Sequence, residues 1–294
     1  MTFWPAKALL LGLLLFGTTA WAEVCAVDDA GHQVCLEQPA QRIASLSPGG
    51  TELLWAAGAG DQVVAVVEYS DYPPQARAVP SVGNHTRIDL EALLSLRPEL
   101  VVAWVSGNPA GQIEKLQALG LPVFAIEPRE FAGVSTAIER LGLLAGTESV
   151  AVPEASAFRD GIGQLQQQYA NADPVTVFYQ VWNKPLMTIN DDHLIAKVIR
   201  LCGGRNIFGD QSRLAPRIDV EAVLAANPEA ILTSGEDDEP SRWFDGWRRM
   251  PDMLAVQRDN LFQIPPSLIS RPTPRLLEGS RLFCQALEQA RGRR

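Results

Sequence analysis

Residues 87–103 read RIDLEALLSLRPELVVA, and residues 217–233 read RIDVEAVLAANPEAILT. At an offset of 130 residues the two stretches agree at eight of seventeen positions: Arg, Ile, Asp, Glu, Ala, Leu, Pro and Glu. In each, an Asp opens an apolar-periodic run, a Pro stops it, and a continuous apolar run follows. That pattern predicts a short capped helix leading into a buried strand. A capped helix with a Pro behind it is common and explains part of the match. Arg, Asp, Glu and Pro kept together in register point to a repeated unit, one in each of two α/β lobes.

The flanking sequence has the same rhythm. Arg42-Ile43-Ala44-Ser45-Leu46 reads as a first buried strand, and Ser47-Pro48-Gly49-Gly50 as a turn. Thr51 is placed as the cap of a helix beginning at Glu52. Strands follow at 63–67, 100–104 and 123–126, with helices at 89–96, 110–119 and 131–145. Short apolar strands alternating with helices predict a parallel sheet covered on both faces. Residues 150–169 differ, with Phe158, Ile162, Leu165 and Tyr169 on one face of a single long helix. The α/β rhythm then restarts, with strands at 175–179, 230–233 and 261–264. Helices are predicted at 191–200, 219–226 and within 243–253, and a last one runs to about residue 290. The expected fold is therefore α/β: two Rossmann-like lobes joined by one long α-helix, with a ligand cleft between them. The expected boundaries are a leader at 1–22, a hairpin at 23–39, lobes at 40–147 and 173–294, and the linking helix at 148–172.

The leader carries Lys7 as its only charge, an apolar run at 8–16, and Ala20-Trp21-Ala22 for a signal peptidase. It reads as a signal peptide cleaved after Ala22, too short in its apolar part to span a bilayer comfortably. Glu23 stands where lipidation at Cys25 would need a small or apolar residue. The formal charge of −9 becomes −10 once Lys7 is removed with the leader. That balance disfavours nucleic acid and anionic membrane surfaces as partners. An apolar content of 47% is ordinary for a globular protein. The expected location is the periplasm, as a soluble monomer.

Four cysteines in an exported chain suggest two disulfides, for which three pairings exist. A hairpin turning at Asp28-Asp29-Ala30-Gly31 would bring Cys25 and Cys35 together and leave Cys202 for Cys284. The cysteine spacings fit no zinc pattern, and the histidines are scattered at 32, 85 and 193. No phosphate-binding glycine loop and no Gly-x-Ser-x-Gly elbow is present. No enzyme activity, catalytic cofactor or metal is therefore expected. An envelope enzyme or structural protein stands as the competing class.

Ligand-binding candidates sit in loops after strands, where open α/β sheets bind ligands. They are Tyr69, Trp104, His85, Trp182, Met187 and Arg271. Aromatic platforms with few polar handles suit a large flat organic ligand. His193 is expected in a first helical turn, facing solvent. Trp243 and Trp247 are expected along one side of a surface helix. Glu91 and Glu221 hold equivalent places in the repeat. They read either as first-turn charges or as an exposed acid on each lobe for basic sockets on a partner.

These residues also carry a resemblance. The passages are Ser45-Leu46-Ser47-Pro48 with Thr51-Glu52-Leu53, Tyr69-Ser70-Asp71-Tyr72-Pro73-Pro74-Gln75-Ala76, and Val102-Ala103-Trp104 with Gly107-Asn108. Cys202-Gly203-Gly204, Asn206-Ile207-Phe208 and Phe283-Cys284-Gln285-Ala286-Leu287 belong with them. Over nearly the whole chain after the leader, it resembles the helical-backbone (class III) solute-binding proteins, and within them the cobalamin-binding branch. The resemblance implies Tyr69 and Trp104 around a corrin, Arg271 beside its polar edge, and a Cys202–Cys284 disulfide. It implies cobalamin or a related corrinoid as transported ligand, not as cofactor. It also implies that Glu91 and Glu221 dock onto the inner-membrane permease of an importer with its ATPase subunits. The chain departs from that pattern by lacking tryptophans near His85 and Ala215 and an acid near Ser267, and by adding the Cys25–Cys35 hairpin. A ferric siderophore or haem on the same fold is the alternative cargo. Such a site wants several arginines or a tyrosinate, whereas this chain offers mainly Arg271, Arg275 and aromatics.

Overall fold

The computed structural model describes residues 23–235 and 242–294; the expected leader lies outside them. Two four-stranded sheets, all parallel within each, form the cores of two lobes. In the first the spatial order is Val63–Ala65, Ile43–Ser45, Leu100–Trp104, Val123–Ile126. In the second it is Gly204–Asn206, Val175–Gln180, Ala230–Thr233, Leu261–Gln263. Numbered by sequence within its lobe, each sheet has the order 2-1-3-4. The chain therefore reverses direction across the sheet between the first and third strands of both lobes.

The repeat supplies the same pieces twice: Leu90–Ser95 before Leu100–Trp104, and Val220–Ala226 before Ala230–Thr233. Its Pro-Glu pair has a structural task in each lobe. The Glu99 carboxylate accepts from the amides of Gln41 and Arg42 at 2.6 and 3.2 Å, and the Glu99 amide donates to Arg42 O. The Glu229 carboxylate accepts from the Thr176 amide at 3.1 Å, and its own amide donates to Thr176 O. Each acid registers the third strand against the first at its amino end.

Alternate residues of a central strand serve different cores. Leu100 and Val102 face the linking helix, while Val101 and Ala103 pack on the far side with Leu46, Leu93 and Leu116. The same division separates Val177 and Tyr179 from Phe178. This is the burial of a parallel sheet covered twice.

The linking helix, Glu148–Tyr169, is 22 residues long, about 33 Å at the α-helical rise. It buries Ala151, Ala155, Phe158, Ile162, Leu165 and Tyr169 along one stripe. One apolar core runs through this stripe from Leu53 and Ile138 in the first lobe to Phe283 and Leu287 in the second. Approach is close: a Cβ on Gly142 would lie 2.2 Å from that of Ala151.

The strands Val24–Val27 and Gln33–Leu36 form an antiparallel hairpin with Cys25 opposite Cys35, and these two form a disulfide. Cys202 is bonded to Cys284. Glu23, Cys25 and Cys35 are the one close group of potential metal ligands among the described residues, and both sulfurs are in the disulfide.

Two expectations are corrected. The first helix spans Pro48–Ala56, capped by Ser47, whose Oγ accepts from the Gly50 amide at 3.0 Å. Pro48 at the first helical position is pre-set for that start, so the supposed turn is the first helical turn. Thr51 is buried and bonds to Ser45 and Ser70 instead. His193 is the N-cap of Leu194–Leu201 and half-buried rather than solvent-facing. Within 243–253 the expected helical stretch is found at Phe244–Arg248, where Trp247 packs into the core and its indole donates to Gln180 Oε1 at 2.7 Å.

Candidate functional site

The loops at the carboxyl ends of the first lobe's four strands meet the segment 270–272 of the second lobe. Between them is a concave pocket of about 290 Å³ lined by Ser47, Pro48, Gly49, Tyr69, His85, Trp104, Ile126 and Arg271, among others. It lies at the point where the strand order reverses, the place where open α/β sheets bind ligands. A larger hollow of about 730 Å³ lies beside the linking helix, around Glu130, Gln166, Tyr169 and Lys197. It is the back of the joint between the lobes, crossed by a Lys197–Glu130 ion pair at 2.6 Å. We assign the candidate site to the smaller pocket because the strand-end loops and the aromatic platforms converge there.

Four of the six ligand-binding candidates line this pocket: Tyr69, His85, Trp104 and Arg271. Trp104 ends the third strand, and its ring lies over Gly107, where a Cβ would come within 1.8 Å of it. Buried Asn108 ties the surrounding loops together. Its Oδ1 accepts from the Trp104 amide at 2.6 Å, and its Nδ2 donates to Leu46 O and His85 O. His85 stands 6.0 Å from Trp104, ring to ring, at 45°. Tyr69 is 74% exposed at the pocket's mouth, with a left-handed φ of 64°, an unusual conformation for a bulky residue.

Trp182 and Met187 are not part of this wall. They bridge one another in the second lobe directly after its first strand. Trp182 is exposed and meets Trp243 edge-on at 6.0 Å. By the shared strand order, this is the second lobe's counterpart of the first lobe's strand-end loops.

Arg271 crosses from the second lobe to the first. Its Nη1 donates to Glu52 Oε1 at 2.7 Å and to Asp71 Oδ1 at 3.0 Å, and its Nη2 donates to Tyr69 O at 3.1 Å. Burial alone would lower the guanidinium pKa. The hydrogen bonds and charges of Glu52 and Asp71 outweigh it and hold the pKa above its ordinary value. The other oxygen of Glu52 accepts from Thr273 Oγ1 at 2.7 Å, and Arg275 lies 3.5 Å away. The Arg275 guanidinium sits 4.1 Å over the Tyr72 ring. Glu52 is almost wholly buried. Its signal in the sequence was a lone acid in the apolar helix Thr51-Glu52-Leu53-Leu54-Trp55, which must find a cation when buried.

Glu91 and Glu221 lie in the first turns of their helices, both exposed. Among the described residues neither takes part in a hydrogen bond or ion pair, unlike Asp89, which caps through the Ala92 amide at 3.0 Å.

Two parallel α/β lobes, one rigid connecting helix and a strand-end cleft with aromatic walls define a two-lobed solute-binding protein. The periplasmic binding protein family model matches residues 43–267, and the chain belongs to that family. Its members are periplasmic solute-binding transport proteins rather than enzymes. The vitamin B12-binding protein of Vibrio cholerae is 37% identical over 252 residues, covering 86% of this chain and 91% of that protein. That of Photorhabdus laumondii is 36% identical over 246 residues, covering 84% and 87%. The crystal structure of the periplasmic vitamin B12 binding protein of Vibrio cholerae superposes with a TM-score of 0.78 at 36% identity, over 86% of this chain and 98% of that one.

Proposed function

We propose that this chain captures cobalamin or a related corrinoid in the periplasm and delivers it to an inner-membrane ABC importer. The observation that carries this reading is the similarity, over 86% of the chain, to a protein named for vitamin B12 binding. The cleft is consistent with it. Tyr69, His85 and Trp104 offer ring faces and edges, and Arg271 is the one permanently charged residue among those lining the pocket. A pocket of about 290 Å³ takes the edge of a large macrocycle and leaves the rest between the lobes. Trp182 and Met187, at the second lobe's strand end, are proposed as the facing wall. Glu91 and Glu221 are proposed to engage cationic sockets on the permease, because they are exposed and have no partner within the described chain. The receptor is proposed to act as a monomer.

Titration of the chain lacking residues 1–22 with cyanocobalamin, cobinamide, haem and a ferric siderophore tests the cargo. Corrinoid binding is expected with a Kd below about 10 µM, roughly 7 kcal/mol of binding free energy. Failure of both corrinoids to bind at that level would overturn the reading.

A further inference from the structure

Glu52 is a buried carboxylate on the first lobe's helix Pro48–Ala56, and each of its close partners comes from the second lobe. Its effect on the cleft is electrostatic. Arg271 faces the pocket, yet its Nη1 is shared between Glu52 at 2.7 Å and Asp71 at 3.0 Å, and its Nη2 is used by Tyr69 O. Arg275 is turned onto Glu52 and the Tyr72 ring. Two cations thus face two acids, and the cluster has no surplus positive charge. A ligand carboxylate approaching Arg271 would meet Glu52 and Asp71 at the same guanidinium. Charge-assisted hydrogen bonds are strong when free and unavailable when already made, and like charges brought together suppress wrong partners.

We propose that Glu52 is a positioning residue that sets ligand charge: by holding Arg271 from the opposite lobe, it withholds that cation from ligand carboxylates. The cleft then favours a large, net-uncharged, amide-fringed ring over a dianionic tetrapyrrole. This deepens the corrinoid reading and rests on it for the cargo. Its own readout is a ratio of two porphyrin affinities, independent of whether any corrinoid binds.

The test compares haem, which carries two propionates, with its uncharged dimethyl ester on wild type, Glu52→Gln and Glu52→Gln/Arg271→Gln. Glu52→Gln keeps an acceptor for Thr273 and removes the charge. The haem-to-ester affinity ratio is expected to rise about tenfold in Glu52→Gln, the size of one charge-assisted hydrogen bond released to the ligand. It is expected to return to the wild-type value in the double variant. An unchanged ratio, or an equal change for haem and ester, overturns the proposal and leaves Glu52 as a tie between lobes. Should Glu52→Gln not fold, Asp71→Asn decides the matter, because Asp71 is about half exposed and its loss leaves Arg271 Nη1 with one acid instead of two, a partial release. A rise of about threefold supports the proposal, and no rise overturns it. A parallel titration of wild type with the corrinoid pair, cyanocobalamin and cobinamide, separates the two readings. Failure of both would remove the corrinoid assignment and leave the porphyrin ratio to judge Glu52.

Discussion

His193 caps the helix Leu194–Leu201 by accepting the Ile195 amide on Nδ1 at 3.1 Å. Burial lowers its pKa from 6.5 to about 4, because the charged imidazolium would lose its hydration. Between those values the unfolded chain takes up a proton that the folded chain refuses. Stability from this site is therefore complete above about pH 6.5, declines on acidification, and levels off below about pH 4. About 2 kcal/mol is expected to be lost between pH 7 and pH 5. His193→Asn keeps a cap acceptor without titrating there. Urea unfolding midpoints at the two pH values should differ much less in that variant, and an equal difference would refute the assignment. Single residues were unevenly legible in the sequence. Tyr69, His85, Trp104 and Arg271 stand out in the sequence as aromatic and charged loop residues, and the fold gathers them around one pocket. The partner of Arg271 does not stand out, since Glu52 is 219 residues away and only the packing of the lobes brings them together. The burial of His193 is not legible in the sequence, because helical position alone does not reveal what packs over the cap.

The matched elements of the two lobes show how one repeat holds two kinds of acid. Glu99 and Glu229 are committed to strand amides. Around Glu229, burial alone would raise the carboxyl pKa, but Arg294, the Thr176 amide and Arg258 bring it below its ordinary value. Glu91 and Glu221 recur with no such task. Replacing both with Ala is expected to leave corrinoid affinity within about twofold and the melting temperature nearly unchanged, as for exposed surface changes. Uptake through the cognate importer in reconstituted vesicles should fall by about tenfold or more, as when rim charges that steer and register a complex are lost. Lost ligand affinity would instead return these acids to the fold. The elements themselves were the most legible level. The predicted Leu100–Trp104, Val123–Ile126, Phe131–Ala145 and Ala230–Thr233 are found with those bounds. The failure lies where local signals compete: Ser47-Pro48 carries both a turn and a helix start.

At the scale of the molecule, the lobes are joined by a continuous core, by Glu130–Lys197 at the back and by Glu52–Arg271 beside the cleft. The Cys202–Cys284 bond links the C-terminal end of one helix to the last helix, Leu276–Gly292, across a separation of 82 residues. Closing a loop of that length removes about 4.5 kcal/mol of unfolded-state entropy, against about 3 for the hairpin bond, whose residues are ten apart. Cys202→Ser/Cys284→Ser is therefore expected to lower unfolding free energy by about 4 kcal/mol, and more than Cys25→Ser/Cys35→Ser does. Denaturant titration of both pairs checks the order, and the reverse order would refute it.

The hairpin has a consequence that its own bond does not disclose. The strand Val123–Ile126 is last in its sheet, and a bare outer strand invites pairing with another molecule. Asp29 donates its amide to Ala125 O at 2.9 Å, while Asp28 and Asp29 accept the amides of Ala125 and Glu127 at 3.2 and 2.6 Å. Arg140 then holds Asp29 in place at 2.6 Å. A turn carrying two acids thus occupies the polar rim of the sheet and guards it against aggregation in a compartment where neighbouring chains emerge unfolded.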